Sequence, residues 1–135
     1  MASSRARLLV VDDEPAIREV ASALLASEGY DVSTAEDGME ALERLVEPLP
    51  DLVISDLKMP HMSGFELLTL VRERFPHVPV IAMSGAFSEN EVPTGLLADA
   101  FLQKGTFTIR QLCSKIAELI SMPPRRGLPS TQVPS

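Results

Sequence analysis

The chain has 135 residues, a net charge of −7 and a single cysteine. This length suits one domain, one cysteine cannot form an internal disulfide, and the acidic charge argues against nucleic acid as a partner. Its apolar runs are far shorter than the roughly 20 residues of a membrane-spanning helix, and no signal-peptide stretch follows the N-terminus. We therefore expect a cytoplasmic protein that neither enters a membrane nor binds nucleic acid.

Short apolar runs recur along the chain and alternate with segments of helical periodicity. Each run has the length of a strand, contains mostly Val, Ile, Leu, Ala or Thr, and ends at a polar residue or a turn. The predicted strands are 7–11, 30–35, 52–56, 80–83 and 100–103.

Apolar residues repeat every three or four positions between these runs, which indicates helices with one buried face. Pro15 suits the first turn of the first helix, and Gly29 is a typical stop signal. Pro93 and Gly95 interrupt the fourth helix, which we expect to be short or irregular. The predicted helices are 15–28, 38–46, 65–75, 91–98 and 109–120.

This alternation of strands and helices predicts an α/β fold, a doubly wound parallel sheet covered by helices on both faces. We expect the domain to occupy residues 6–121. Residues 122–135 hold four prolines and two arginines, and we expect them to form a disordered Pro-rich tail or linker stub. Ligands of such sheets bind at the carboxyl ends of the strands.

Polar side chains follow four of the predicted strands at the point where each strand ends. Asp12 and Asp13 follow the first strand, Asp56 ends the third, Ser84 follows the fourth and Lys104 follows the fifth. Because the carboxyl ends of parallel strands meet at one edge of the sheet, we expect these five side chains to lie close together. A solvated loop edge explains each of them singly but not the whole set.

Three neighbouring carboxylates repel one another unless a cation neutralises them. Mg²⁺ takes oxygen ligands and is usually bound through one or two carboxylates together with a phosphate. Lys104 and Ser84 add an ammonium and a hydroxyl that can hold phosphoryl oxygens. An aspartate is a sufficient nucleophile for phosphoryl transfer, so the sequence predicts an aspartyl-phosphate site.

Four segments carry a resemblance to a known family. They are Val-Val-Asp-Asp-Glu at 10–14, Asp-Leu-Lys-Met-Pro-His-Met-Ser-Gly at 56–64, Met-Ser-Gly at 83–85 and Phe-Leu-Gln-Lys at 101–104. Together they resemble the receiver domain of bacterial two-component response regulators, of the single-domain type found in chemotaxis regulators. The resemblance covers about residues 6–121, and the segment at 56–64 is its most specific part.

The resemblance implies a flavodoxin-like fold with five parallel strands in the order 2-1-3-4-5 and five helices. It implies phosphotransfer from a histidine kinase or a histidine phosphotransfer protein to Asp56, with Mg²⁺ (or Mn²⁺) as the cofactor. Phosphorylation would then change the surface that binds a downstream target protein. The chain would act as a signalling switch rather than an enzyme, promoting only its own phosphotransfer and dephosphorylation.

The family pattern also implies roles for particular residues. Asp13 and Asp56 would bind the metal directly together with the main-chain carbonyl of Lys58, and Asp12 would act mainly through water. Ser84 and Lys104 would bind the phosphoryl group. Ser84 would turn toward that group and Phe101 would follow as the aromatic switch. Lys58 and Phe87 would overhang the site and set the lifetime of the phosphoryl group.

The chain departs from the family pattern at three positions. Gly105 stands where most members have proline after the lysine, so we expect a trans or looser loop there. Phe101 replaces the more frequent tyrosine and has no hydroxyl to keep in water. Ala100 replaces a frequent acid, and the segment before it lacks Lys and Arg, so we expect a monomer in which activation reorders residues 85–98.

Three other functions fit the sequence less well. A phosphorylation-independent interaction module would use the same fold, but this chain keeps both the acids and the lysine. A haloacid-dehalogenase-type phosphatase would need an Asp-x-Asp motif after the first strand, where this chain has Asp12-Asp13-Glu14. A flavodoxin-like cofactor binder would need a Ser/Thr/Gly-rich loop there, because acids repel a phosphate that no metal accompanies.

Overall fold

The structure is a computed structural model that describes residues 5–46, 49–57, 64–84, 98–105 and 107–121, with the side chains of 46, 64, 65 and 84 excluded. Five strands form one sheet: β1 (Arg7–Val11), β2 (Asp31–Ala35), β3 (Leu52–Asp56), β4 (Val80–Ser84) and β5 (Ala100–Gln103). All neighbouring pairs are parallel, and their order is β2-β1-β3-β4-β5. The predicted fold class and strand order are confirmed.

Four helices lie within the described residues: α1 (Pro15–Ser27), α2 (Gly38–Val46), α3 (Gly64–Arg74) and α4 (Ile109–Ser121). The bounds differ from the predicted ones by one residue at several ends, as expected for helix and strand termini. The short helix predicted over 91–98 lies outside the described part of the chain except for Ala98, and the tail at 122–135 lies outside it entirely. The helix α4 therefore corresponds to the fifth of the predicted helices.

Local sequence signals explain where α1 begins and ends. Pro15 occupies the start of the helix, where its missing N–H costs no hydrogen bond. Gly29 has a φ of 102°, and its N–H donates to the carbonyl of Ala26. A left-handed glycine at this point closes the last turn and allows the chain to enter β2.

The sheet separates two apolar layers, because successive residues of a strand point to opposite faces. On one face, Val11, Val53 and Ala82 pack with buried residues of α2 and α3. On the other face, Val10, Ile54 and Ile81 pack with α1 and α4. The central strand β3 is buried along its whole length, as expected for a parallel strand that is covered on both sides.

An ion pair fastens α3 to the edge of the sheet opposite the strands' carboxyl ends. Arg72 Nη2 lies 2.6 Å from Asp99 Oδ2, and both side chains are more than four-fifths buried. The same oxygen accepts the Val80 N–H at 2.8 Å. Burial lowers the pKa of Arg72 below its usual value, but the guanidinium stays charged at neutral pH. This cluster fixes the start of β4 and the entry to β5.

Cys113 lies on α4 and packs against the α1–α4 layer. Its thiol is half-buried, and burial raises its pKa above the usual value of 9.0. A thiol that stays protonated is a poor nucleophile, which fits a packing role.

Candidate functional site

The loop after β1 is organised around Asp12, which is completely buried. Its N–H donates to the carbonyl of Ala35 at 3.1 Å, extending the β1–β2 ladder by one bond. Its Oδ1 accepts the N–H of Glu14 at 3.0 Å, and its main-chain carbonyl accepts Arg18 Nη1 at 2.7 Å. One carboxylate oxygen, Oδ2, remains and faces the carboxyl edge of the sheet.

The sheet register brings Asp56 beside Asp12. Val11 pairs with Ser55 across β1 and β3, so the residues that follow each of them are neighbours. Asp56 is 4% exposed, and Asp13 is exposed at the rim. Carboxylate oxygens of Asp12, Asp13 and Asp56 all lie within 4.8 Å of one another. The three acids therefore converge as the strand ends predict.

Lys104 joins this cluster from the far side of β4. Its Nζ lies 2.8 Å from Asp12 Oδ2 and 3.1 Å from Asp56 Oδ2, and 3.7 Å from Glu14 Oε1. Three acids pair with this one ammonium and Asp13 adds a fourth carboxylate at the rim, so the cluster carries an excess of negative charge. Burial acts to lower the pKa of Lys104, but the carboxylates of Asp12 and Asp56 outweigh burial and raise the pKa above its usual 10.5.

The donor set fits a hard divalent cation. Asp12 Oδ2 is buried, and among the described residues it faces only the ammonium of Lys104, at 2.8 Å. Opposite oxygens around an octahedral Mg²⁺ lie about 4.2 Å apart, twice the metal–oxygen distance. Oxygens that already lie within 4.8 Å of one another can bind one such ion after small adjustments. A second cation would also offset the charge that Lys104 leaves unbalanced.

Ser84 lies at this edge of the sheet, and Phe101 lies farther from the edge, within β5. Asp56 pairs with Met83 across β3 and β4, and Ser84 is the next residue of β4. Phe101 pairs with Ala82 and packs, half-buried, against the α2–α3 layer. The Ser84 side chain, Lys58 and Phe87 lie outside the described residues, and so do residues 85–97, in which we expect reordering.

The backbone conformation at Gly105 explains why this chain has no proline after Lys104, where most members of the family have one. Its φ is +83°, and a side chain added there would meet nothing within 4 Å. Proline is locked near a φ of about −65° and cannot adopt this conformation. The turn after Lys104 therefore follows a path that the usual proline would not allow.

Sequence reasoning missed Arg18, whose side chain holds the Asp12 carbonyl. It also gave no role to an apolar groove of about 370 Å³ between α1 and the start of α4, which reaches Lys104. Val20 and Leu24 border this groove and are 57% and 41% exposed. The position of Arg18 could have indicated its role. Arg18 comes four residues after Glu14, so its side chain lies on the same face of α1, near the acids at the start of the helix. The periodicity places Val20 and Leu24 on the apolar face of α1, and only their exposure in the structure reveals the groove.

A comparison with protein families decides the identity of the domain. The family model described as the response regulator receiver domain matches residues 8–117. The chain belongs to the response regulator receiver family. This is a family of two-component signalling proteins, and its members generally act as switches rather than as enzymes with a separate substrate.

Curated relatives agree with this assignment. The transcriptional regulatory protein TrcR of Mycobacterium tuberculosis is 34% identical over 116 residues, which span 84% of this chain and 45% of TrcR. The response regulator MprA of Mycobacterium leprae is also 34% identical over 116 residues, covering 84% of this chain and 50% of MprA. The chain therefore spans about half the length of the curated relatives it matches.

Solved receiver structures have the same fold. A CheY-like receiver domain from Methanospirillum hungatei JF-1 superposes with a TM-score of 0.80 at 32% identity, covering 87% of this chain and 94% of that one. The response regulator TrrA of Thermotoga maritima, in complex with Mg²⁺ and BeF, gives 0.77 at 37% identity, covering 84% and 98%. Among the described residues of the present receiver, no helix is both long and apolar enough to cross a membrane.

Proposed function

We propose that this receiver is a phosphorylation-dependent switch in which Asp56 accepts a phosphoryl group in the presence of Mg²⁺. The observation that carries the proposal is the convergence of three carboxylates and the Lys104 ammonium at one edge of the sheet. The donor is the phosphohistidine of a histidine kinase or a histidine phosphotransfer protein. A phosphorylation-independent module would gain nothing from this buried excess of negative charge.

In the transfer step, a carboxylate oxygen of Asp56 attacks the phosphorus atom. The new O–P bond forms as the P–N bond to the donor histidine breaks, and the electron pair of that bond stays on the imidazole nitrogen. Lys104, which already hydrogen-bonds Asp56 Oδ2 at 3.1 Å, pairs with an oxygen of the transferred group. Bound Mg²⁺ would neutralise charge on the phosphoryl oxygens.

Asp13 and Asp56 are the metal's direct side-chain ligands in this proposal, joined by the main-chain carbonyl of Lys58. Asp12 acts mainly through water. Both Asp12 oxygens already have partners, because Oδ1 accepts the Glu14 N–H and Oδ2 lies 2.8 Å from Lys104 Nζ, and this supports the secondary role. Mn²⁺, with the same preference for oxygen ligands, can replace Mg²⁺.

The signal leaves through Ser84 and Phe101. Ser84 turns toward the new phosphoryl oxygens, and Phe101 moves into the space that Ser84 vacates. Residues 85–98 then reorder and present a surface to a downstream target protein, while the receiver stays monomeric. Lys58 and Phe87 tune the lifetime of the phosphoryl group, and the receiver catalyses no reaction beyond its own phosphotransfer and dephosphorylation.

The domain that performs this function spans residues 6–121, with 122–135 as a tail or linker. The family match at 8–117 supports these bounds. The domain works in the cytoplasm, without contact to membrane or nucleic acid of its own.

The donor's docking surface is the apolar groove between α1 and α4. The exposed Val20 and Leu24 border it, and Lys104 belongs to both the groove and the acidic cluster. A donor helix seated in this groove lies next to Asp56, which direct transfer requires. The groove therefore gives the phosphodonor, a helical histidine-bearing protein, a place to bind beside the acceptor.

Phosphorylation with acetyl phosphate tests the metal dependence. We expect one phosphoryl group per chain, with labelling that rises with Mg²⁺ concentration and stops in EDTA. Asp13→Asn shifts the half-saturating Mg²⁺ concentration upward by at least about tenfold, since one of two direct carboxylates is lost. Glu19→Gln, which removes an exposed carboxylate of α1, is the matched control. Equal Mg²⁺ dependence in all three proteins would overturn the proposed metal site.

Hydrogen exchange with and without beryllofluoride and Mg²⁺ tests the switch. We expect protection to change mainly across residues 85–98. Unchanged protection there, in a protein that binds both ions, would favour the phosphorylation-independent module. Sedimentation of the same samples should find a monomer in both states, and a clean shift to dimer would contradict that part of the proposal.

A further inference from the structure

Arg18 connects α1 to residues 12–14, the acidic loop that follows β1. The proposed chemistry does not use this contact. Its Nη1 donates to the main-chain carbonyl of Asp12 at 2.7 Å, and its own N–H donates to the carbonyl of Glu14 at 3.1 Å. We infer that Arg18 is a positioning residue for the Mg²⁺ site. This inference rests on the proposed function, because it concerns how the metal's carboxylates are held.

The bond from Arg18 acts on the peptide that joins Asp12 to Asp13. Asp12 is already fixed by the Ala35 carbonyl and by its own bond to the Glu14 N–H. Asp13, in contrast, is exposed, so packing does not hold its carboxylate. The hydrogen bond to the Asp12 carbonyl restrains the orientation of the peptide that precedes Asp13. The direction of the Asp13 side chain depends on that orientation. Arg18 thereby keeps that carboxylate directed toward Asp56.

The sign of the effect on Mg²⁺ affinity separates positioning from simple electrostatics. The Arg18 guanidinium is positive, so Coulomb repulsion alone would make Mg²⁺ bind more tightly once the charge is removed. Loss of positioning has the opposite effect, because an unrestrained Asp13 must be ordered when the metal binds. We expect positioning to dominate, because the guanidinium bonds the loop directly at 2.7 Å.

Calorimetric titration of the unphosphorylated protein with MgCl₂ measures this effect. Arg18→Met keeps the aliphatic stem but removes the donor and the charge, and we expect Mg²⁺ to bind about tenfold more weakly, the equivalent of one charge-assisted hydrogen bond. Arg18→Lys keeps a donor and the charge, and we expect affinity within about twofold of wild type. One guanidinium nitrogen makes the described contact, so one ammonium can replace it.

Arg44→Met is the matched control. Arg44 on α2 also donates to a strand carbonyl, that of Thr34 at 3.2 Å, and pairs with Glu40. Its removal changes the net charge equally but leaves the acidic loop untouched, so Mg²⁺ affinity should stay within about twofold of wild type.

Two further readouts separate positioning from a general loss of structure. In metal-free protein, the Glu14 amide should exchange faster in Arg18→Met than in wild type or Arg18→Lys, because its acceptor is Asp12 Oδ1. At saturating Mg²⁺, labelling by acetyl phosphate should recover to within about threefold of wild type, because Arg18 touches no reacting atom. Should Arg18→Met fail to fold, Arg18→Leu, which also lacks a donor and a charge, replaces it in the same titration, with the same expected weakening.

Unchanged or tighter Mg²⁺ binding by Arg18→Met, or no rescue by Arg18→Lys, would overturn the inference while the proposed function stands. Wild-type protein that binds no Mg²⁺ would instead overturn the proposed function. Weaker binding in Arg18→Met, with rescue by lysine and an unaffected Arg44→Met, supports the positioning role.

Discussion

Lys104 reaches across the end of β4 to Asp56, and its Nζ donates to Asp56 Oδ2 at 3.1 Å. The two residues end strands that are not neighbours in the sheet, because β4 lies between β3 and β5. The ammonium thus spans the carboxyl edge and also meets Asp12 at the end of β1. This one side chain connects three of the five strand ends, which makes Lys104 a structural cation, and the proposed function makes it the partner of a phosphoryl group at Asp56.

Replacement of Lys104 by methionine should destabilise the metal-free protein. We expect the free energy of unfolding in urea at pH 7, with EDTA present, to fall by about 3 kcal/mol, the lower end of the cost of breaking a buried ion pair. Lys115→Met is the control, because Lys115 pairs with Glu118 at the exposed surface, and such pairs contribute less than about 1 kcal/mol. Equal losses in both variants would contradict the structural role of Lys104.

The same variant predicts a pH dependence with a definite sign. The carboxylates raise the pKa of Lys104 above 10.5 in the folded state, so the folded protein binds its proton more tightly than the unfolded chain. This stabilisation is complete below pH 10.5 and is lost as the pH rises through the raised pKa. Between pH 9 and about 11.5, the free energy of unfolding measured with urea should therefore fall more steeply for wild type than for Lys104→Met. Tyr30 and Cys113 titrate in both proteins, so the difference isolates Lys104; parallel pH profiles would contradict the prediction.

The ion pair between Arg72 and Asp99 should stabilise the fold without affecting phosphorylation. Arg72→Met leaves the Asp99 carboxylate buried beside the Val80 N–H, and we expect unfolding to become easier by about 3 kcal/mol. The double variant with Asp99→Asn should lose less than the sum of the single losses. The exposed pair of Arg44 and Glu40 supplies the control. The rate of labelling by acetyl phosphate should be the same in each folded variant as in wild type. A slower rate would show that the edge of the sheet that holds Arg72 and Asp99 is coupled to the site.

Much of this fold follows from local pattern. The runs that form β1 and β3 end at Asp12 and Asp56, and the parallel sheet then requires those ends to meet. Pro15 and Gly29 mark α1 by backbone geometry that few other residues supply. These features depend on residues that are close in sequence, or on the rule that a parallel sheet brings the carboxyl ends of its strands to one edge.

Other features depend on contacts between distant segments and could not be obtained from the pattern. The left-handed turn at Gly105 is one of several conformations that glycine permits, so the residue type alone does not select it. Lys104 was expected at the site, but its simultaneous contact with Asp12 and Asp56 depends on the reach of a flexible side chain. Arg18 has an ordinary helical position, and its bond to Asp12 becomes visible when the β1–α1 loop is folded.

The groove beside α1 should matter for transfer from a protein donor but not from a small one. A profile of the source organism's histidine kinases first identifies the kinase that transfers phosphoryl groups to this receiver fastest. Val20→Glu and Leu24→Glu each place a carboxylate in the groove. We expect phosphotransfer from that kinase to slow by at least about tenfold in each variant. Acetyl phosphate labelling should be unchanged, because it needs no docking surface. Met39→Glu, at a 55% exposed position of α2, is the control. Kinase transfer at the wild-type rate in Val20→Glu and Leu24→Glu would exclude the groove as the docking site.

Mass spectrometry of the intact protein after incubation with acetyl phosphate and Mg²⁺ tests the central claim most directly. Wild type and Asp31→Asn, which changes an exposed carboxylate at the start of β2, should each gain one phosphoryl group. Asp56→Asn should gain none, because the amide is not a nucleophile for this transfer. A fully labelled Asp56→Asn, or wild type that is labelled equally well in EDTA, would contradict the assignment of Asp56 as the Mg²⁺-dependent phosphoacceptor.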